Sequence, residues 1–158
     1  MASVQIHIIS GPGDPALAEL PALFRAMYSG MEAQGLRTPL APDGEQLWIE
    51  QAVAGAERFG RLVVAIINDV VIGFAHGAIK LAPEHLGGQR VGHITHLYVD
   101  PTNRRSGAGH ALAHALNDWF ASKDVVSVEL QVVVGNAEGE HFWRSLGFVV
   151  EFHQMRKR

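Results

Sequence analysis

The stretch "HITHLYVDPTNRRSGAGHALAHAL", His93 to Leu116, changes its periodicity midway. Up to Asp100-Pro101 it is rich in β-branched and aromatic residues and reads as a strand. From Ser106 the apolar residues fall at helical spacing, with Ala108, Ala111, Leu112, Ala115, Leu116 and Trp119 on one stripe. Arg104, Arg105, Gly107 and Gly109 stand between the two patterns. The first turn of a helix has unpaired N–H groups and the positive end of its dipole, so it favours anions. Glycines there let a ligand approach the backbone, and the arginines add charge. The segment from Arg104 to His110 reads as a phosphate cradle that a pyrophosphate would fit. A bare Gly-x-Gly is equally read as a helix start with no ligand.

Two familiar cradles fail on residues. A P-loop needs Lys-Ser or Lys-Thr after its last glycine, and here His110-Ala111 follow. A dinucleotide fingerprint needs glycine or alanine where Leu112 stands, and it normally lies in the first βα unit rather than late in the chain.

The flanking sequence is organised around this unit. Val4 to Ile9 reads as a first strand, and Asp14-Pro15 as the cap and first residue of a helix that Pro21 kinks. Residues 32 to 41 read as a loop. Asp43 and Gln46 resemble a capping box for a second helix running to about Glu57, with Trp48, Ile49, Ala52, Val53 and Ala56 on its buried face. Two β-branched runs around Asn68-Asp69 read as a hairpin. A turn over 81 to 89 leads to a strand from about Arg90 to Val99. Val125 to Val134 reads as a further strand, "NAEGEHFWRSL" as a short helix stopped by Gly147, and "FVVEFHQMRK" as one or two closing strands. The order predicts one α/β (α+β) layer domain over residues 1–158, with a mixed, mostly antiparallel sheet covered by helices.

Composition narrows the function. Thirteen basic residues against sixteen acidic ones give a net charge of −3, so no field drawing nucleic acid is expected. There is no cysteine, which removes disulfides, thiolate metal sites and a cysteine nucleophile. The apolar runs are too short to span a membrane. With no leader-like N-terminus, the expectation is a cytoplasmic protein.

The pattern Arg104-x-x-Gly107-x-Gly109, preceded by "LYVDP", resembles the coenzyme A pyrophosphate loop of the GCN5-related N-acetyltransferase (GNAT) superfamily. "IGFA" (Ile72 to Ala75), Asn136 after the fifth strand, "FWRSLGF" (Phe142 to Phe148) and the closing "MRKR" carry the same resemblance. It covers residues 61 to 158 well and the first 60 in outline.

The resemblance implies a fold whose fourth and fifth strands splay, with acetyl-CoA as co-substrate in the gap. It implies that Leu97, Tyr98 and Val99 meet the pantetheine arm through main-chain atoms, and that Arg104, Arg105, Ser106, Gly107, Ala108, Gly109 and His110 hold the pyrophosphate. Asn136 and Trp143 would complete the cofactor side. A main-chain N–H near Leu97 to Val99 would polarise the thioester carbonyl. His93 stands where many members carry a catalytic Glu, and an imidazole is suited to take a proton near neutrality. A strand histidine hydrogen-bonded in the core is the plain alternative. Pairing across the 81–89 turn would bring His76 close to His93, with Thr95 on the His93 face and His96 on the other. The acceptor site would draw on Tyr28, Met31, Glu32, Trp48 and His76, with Glu84 and His85 from the turn. Two histidines make no complete metal site, so no metal is expected.

Where the family often has a Tyr acid, this chain has Trp143, whose indole cannot protonate a thiolate. The implied activity is N-acetylation of a small-molecule primary amine by direct attack. The alternatives are a protein or peptide amine as acceptor, or a non-catalytic acyl-CoA-binding module. A homodimer is possible by analogy with relatives.

Overall fold

Asn68 and Asp69 take φ of 49° and 62° in the computed structural model, which describes residues 2–158. Positive φ at both positions is what a two-residue hairpin turn requires, and Asn and Asp tolerate it. The described residues form β1 (Gln5–Ile8), α1 (Leu20–Ala33), α2 (Gly44–Ala54), β2 (Gly60–Ile67), β3 (Val70–Leu81), β4 (Arg90–Val99), α3 (Ala108–Ser122), β5 (Ser127–Leu130) and α4 (Ala137–Ser145). The strands lie in the sheet in chain order. The first three pairings are antiparallel and β4–β5 is parallel. α3 is the crossover that a parallel pair needs.

Two cores share this sheet. On one face Phe24, Met27, Ile49 and Ala52 of α1 and α2 pack on Leu62, Val64 and Phe74. On the other, Leu112, Leu116, Trp119 and Phe120 of α3 pack on Val63, Ala65, Ala75 and Ile94. Phe120 presses into a hollow made by Gly77 and Gly92 on neighbouring strands. A Cβ at either would come within 2.9 Å or 2.8 Å of its ring. Ion pairing of Arg25 with the buried Glu45 ties α1 to α2.

Several sequence expectations are corrected. Pro21 falls in the first turn of α1, where a missing N–H leaves no gap, so it starts the helix rather than kinking it. The Asp14-Pro15 cap opens a 3-10 turn, Pro15–Glu19, rather than the α-helix itself. Asp43 is left-handed with φ of 56° and makes no side-chain cap hydrogen bond, so the capping box does not form. β5 stops at Leu130 instead of reaching Val134. Beyond it the chain crosses to the end of α1, where a Cβ on Gly135 would overlap the Gln34 carbonyl. No strand forms after Gly147, and residues 149–158 are exposed. With only four residues, β5 offers little edge for them to pair with.

Asp14 fastens the front of the chain. One carboxylate oxygen accepts from the Ser10 amide (2.9 Å), the Ser10 hydroxyl (3.1 Å) and His7 Nε2 (2.7 Å), and the other accepts from the Ala16 amide at 3.0 Å. Burial works to raise its pKa, but these hydrogen bonds outweigh burial and hold it at about 2. A carboxylate with a depressed folded pKa stabilises the fold above its unfolded value, and that share is lost as pH falls through the folded value. Stability should therefore drop between about pH 4 and pH 2. In Asp14→Asn that part of the drop should vanish, as urea unfolding midpoints across this range would report.

Candidate active site

β4 and β5 pair only from Val91↔Ser127 to Ile94↔Leu130. Past that point the strands part, and a cleft of about 420 Å³ opens between them. One wall is β4 from Ile94 to Val99, and the other is Leu130 to Val133. Met27, Gly30 and Met31 of α1, with Gln34 that caps it, close it on one side of the sheet, and Phe142 and Trp143 of α4 on the other. It ends on Arg104, Arg105, Gly107, Gly109 and His110 at the start of α3. Leu97, Tyr98 and Val99 therefore lie on a stretch of β4 that no longer has β5 beside it. By strand alternation the Leu97 and Val99 N–H groups are the ones on that side, since the Asp100 amide donates to Ile72 of β3.

The helix start is open and ringed by donors. Gly107 caps α3 with φ of 87° and nothing within 4 Å of where a Cβ would stand, so the cradle is open there. The Ala108 amide donates to Ser106 Oγ at 3.2 Å, and the Ala111 amide to the Gly107 carbonyl at 3.0 Å. The Gly109 and His110 amides are the first-turn donors that remain for an anion. Arg104 Nε donates to the Val99 carbonyl at 3.1 Å, which holds its guanidinium at the end of β4 over the Tyr98 ring. These residues fit a pyrophosphate: two amides, two guanidinium groups and an unobstructed glycine. Ser106 and Ala108 do not line the cleft. Ser106 supports the first turn, and the Ala108 side chain is core.

Asn136 lines the cleft and also caps α4, its Oδ1 accepting from the Gly139 amide at 2.9 Å. Trp143 is both a cleft wall and a core neighbour, packed edge-on against Phe142 and Phe148.

The histidines are arranged differently from the sequence expectation. His76 pairs with His96, Gly77 with Ile94, and Thr95 is the extra residue of a β-bulge. His93 pairs with Ala78 instead of lying opposite His76. One inserted residue breaks the alternation, so His96 comes to the same face as His93 and Thr95, toward α1 and α2. His96 lies 5.3 Å from Phe24 and 4.9 Å from Trp48 between ring centroids, and His76 lies 5.4 Å from Trp48. Thr95 Oγ1 is 2.7 Å from His76 Nδ1 and 3.0 Å from His96 Nδ1. Burial, then the neighbouring imidazoles, pushes His76 and His96 down to about 4, so both are neutral near pH 7. His93 is half-buried. Its pKa is lowered by burial and by Lys80, with Glu129 opposing. Lys80 and Glu129 are themselves ion-paired.

Of the expected acceptor residues, Met31 lines the cleft. Tyr28 and Trp48 do not line it: Trp48 stacks on Phe24 and Tyr28 meets Phe24 at a tilt. Glu32 is exposed on the far side of α1, and Glu84 and His85 sit in the 3-10 turn between β3 and β4. His93 and His76 lie behind the cleft wall rather than on it. Sequence reasoning put Thr95 on the His93 face, as found, but His96 on the other, because a bulge leaves no mark on residue alternation. It missed Gly30 and Gln34, whose signal would have been the glycine of "VVVGN" that must lie against α1.

Residues 23–148 match the model of the acetyltransferase (GNAT) family. No curated protein sequence matches the chain. Among solved structures, the chain is similar to an aminoglycoside N-acetyltransferase in complex with CoA. Identity is 17%, 100% of this chain and 95% of that one are covered, and the TM-score is 0.78. An aminoglycoside acetyltransferase from an uncultured soil metagenomic sample is 21% identical over 98% and 97% of the two chains, with a TM-score of 0.69. The ribosomal-protein-alanine N-acetyltransferase of Brucella melitensis biovar Abortus 2308 is 20% identical over 99% of each chain, with a TM-score of 0.67. At these identities the structures share the fold, and the family match goes further: the chain belongs to the GNAT family and is an acyltransferase.

Proposed function

We propose that this protein transfers the acetyl group of acetyl-CoA to the primary amine of a small molecule, within a ternary complex. The observation that carries the proposal is the continuity of the cleft between β4 and β5 with the open helix start at Arg104 to His110. The pyrophosphate is held by the Gly109 and His110 amides and by Arg104 and Arg105. The pantetheine arm runs along the freed main chain of Leu97, Tyr98 and Val99, against Asn136 and Trp143. An N–H of that β4 segment polarises the thioester carbonyl. The amine enters from the side of α1 and α2 at Met31, with Tyr28, Trp48 and His76 in the layer behind that wall, and Glu32, on the far side of α1, takes no part.

The amine lone pair forms the new N–C bond, the C–S bond breaks, and CoA leaves as a thiolate. A thiol with a pKa near 8.5 tolerates leaving in that form, so Trp143 needs no acid role. The proton leaves the nitrogen for His93 through water, because His93 does not itself line the cleft. No metal takes part in the proposal, and no group of three or more metal-ligating side chains is found among the described residues. No helix among them is long and apolar enough to cross a membrane. A cytoplasmic setting and a possible homodimer stay with the proposal.

A peptide amino terminus is the second acceptor class, favoured by the likeness to a ribosomal-protein-alanine N-acetyltransferase. Thiol release from acetyl-CoA across amino acids, polyamines, aminoglycosides and short peptides tests both readings. Amine-dependent release is the expected result, and the best acceptor decides between them. No release with any amine, or stronger thermal stabilisation by ATP or NAD than by acetyl-CoA, would overturn the proposal.

A further inference from the structure

The β4 bulge places one hydroxyl among three polar atoms. Thr95 Oγ1 is 3.2 Å from the His76 carbonyl, 2.7 Å from His76 Nδ1 and 3.0 Å from His96 Nδ1. A hydroxyl has one proton to donate and two lone pairs to accept with. The carbonyl can only accept. All three contacts are hydrogen bonds in a single arrangement: the hydroxyl donates to the carbonyl, and both imidazoles donate from Nδ1. Giving the hydroxyl proton to either ring would leave two oxygens facing each other at 3.2 Å with no proton between them.

We propose that Thr95 is a positioning residue that locks His96 in the Nδ1–H tautomer, leaving its Nε2 lone pair as an acceptor at the cleft. This rests on the acetyltransferase reading of the cleft, which His96 lines. The lone pair accepts a hydrogen bond from the incoming amine N–H and turns the amine's own lone pair toward the thioester. His96 keeps no proton from the reaction, which leaves the proton with His93. The surroundings suit a neutral acceptor. Phe24 of α1 and Trp48 of α2 flank the ring, and the titratable groups near it are His76 on β3 and His93 on β4. Lys80 and Glu129 act on His93. His76, held by the same hydroxyl, is the second support of the lock.

Two measurements test this. Nitrogen-15 NMR of histidine-labelled protein near pH 7 reads each ring's tautomer directly. His76 and His96 are both expected as Nδ1–H, and an Nε2–H tautomer at His96 overturns the lock. In kinetics, Thr95→Val keeps the shape and removes the hydroxyl. It is expected to lower kcat about tenfold with unchanged acetyl-CoA affinity, and Thr95→Ser to restore it. Wild-type kcat in a folded Thr95→Val protein overturns the role at the cleft. If wild type turns over no amine, the acetyltransferase proposal fails and takes the role at the cleft with it. The NMR result still decides the lock itself.

Discussion

Phe120→Ala is expected to lower the unfolding free energy by about 3–5 kcal/mol, the usual range for deleting a buried aromatic ring. Phe120 is 1% exposed, and its ring fills the hollow over Gly77 and Gly92. Two adjacent strands lack side chains there, so the sheet itself offers none to close the void. For a domain of this length, each kcal/mol shifts the melting temperature by about 2–4 °C. Urea unfolding of Phe120→Ala beside Val134→Ala would measure the effect. Val134 is 87% exposed, so its truncation should stay within about 0.5 kcal/mol. Equal losses in the two variants would contradict the packing described.

His93→Ala is expected to reduce turnover by about a hundredfold or more, the range for removing a positioned general base. Acetyl-CoA affinity should be unchanged, because His93 is not part of the cleft wall. Burial and Lys80 lower its pKa from the ordinary 6.5, while Glu129 works the other way. A base acts in its neutral form, so kcat/KM expressed per neutral amine, which corrects for the acceptor's own ammonium form, should rise with pH through a value below 6.5 and stay flat through neutrality. The alanine variant should lack that acidic limb. Normal turnover in a folded variant would remove His93 from the mechanism, leaving the family and fold as they are.

The helix start was readable because its chemistry is local. A strand, two arginines and two glycines before an alanine-leucine stripe fall within about twenty consecutive residues, and the structure brings the same residues to the end of the cleft. The hairpin at Asn68-Asp69 was readable for the same reason, as its backbone conformation is set by the two residues themselves. The closing strands were not. "FVVEFHQMRK" has strand propensity, but a strand also needs a partner, and β5 ends after four residues.

The histidine cluster marks the same boundary inside the site. Residue alternation put His96 opposite His93, and one bulge at Thr95 reversed that. The sequence by itself determined the order of elements from β1 to α4, the hairpin, the glycine-rich start of α3 and the family. Each of these depends on neighbours close in the chain. Only the tertiary structure decided where β4 and β5 part, which face His96 takes, and how Gly135 meets Gln34. Those features depend on register and on contact between segments far apart in the chain, and such contacts follow from packing the whole sheet between its two cores.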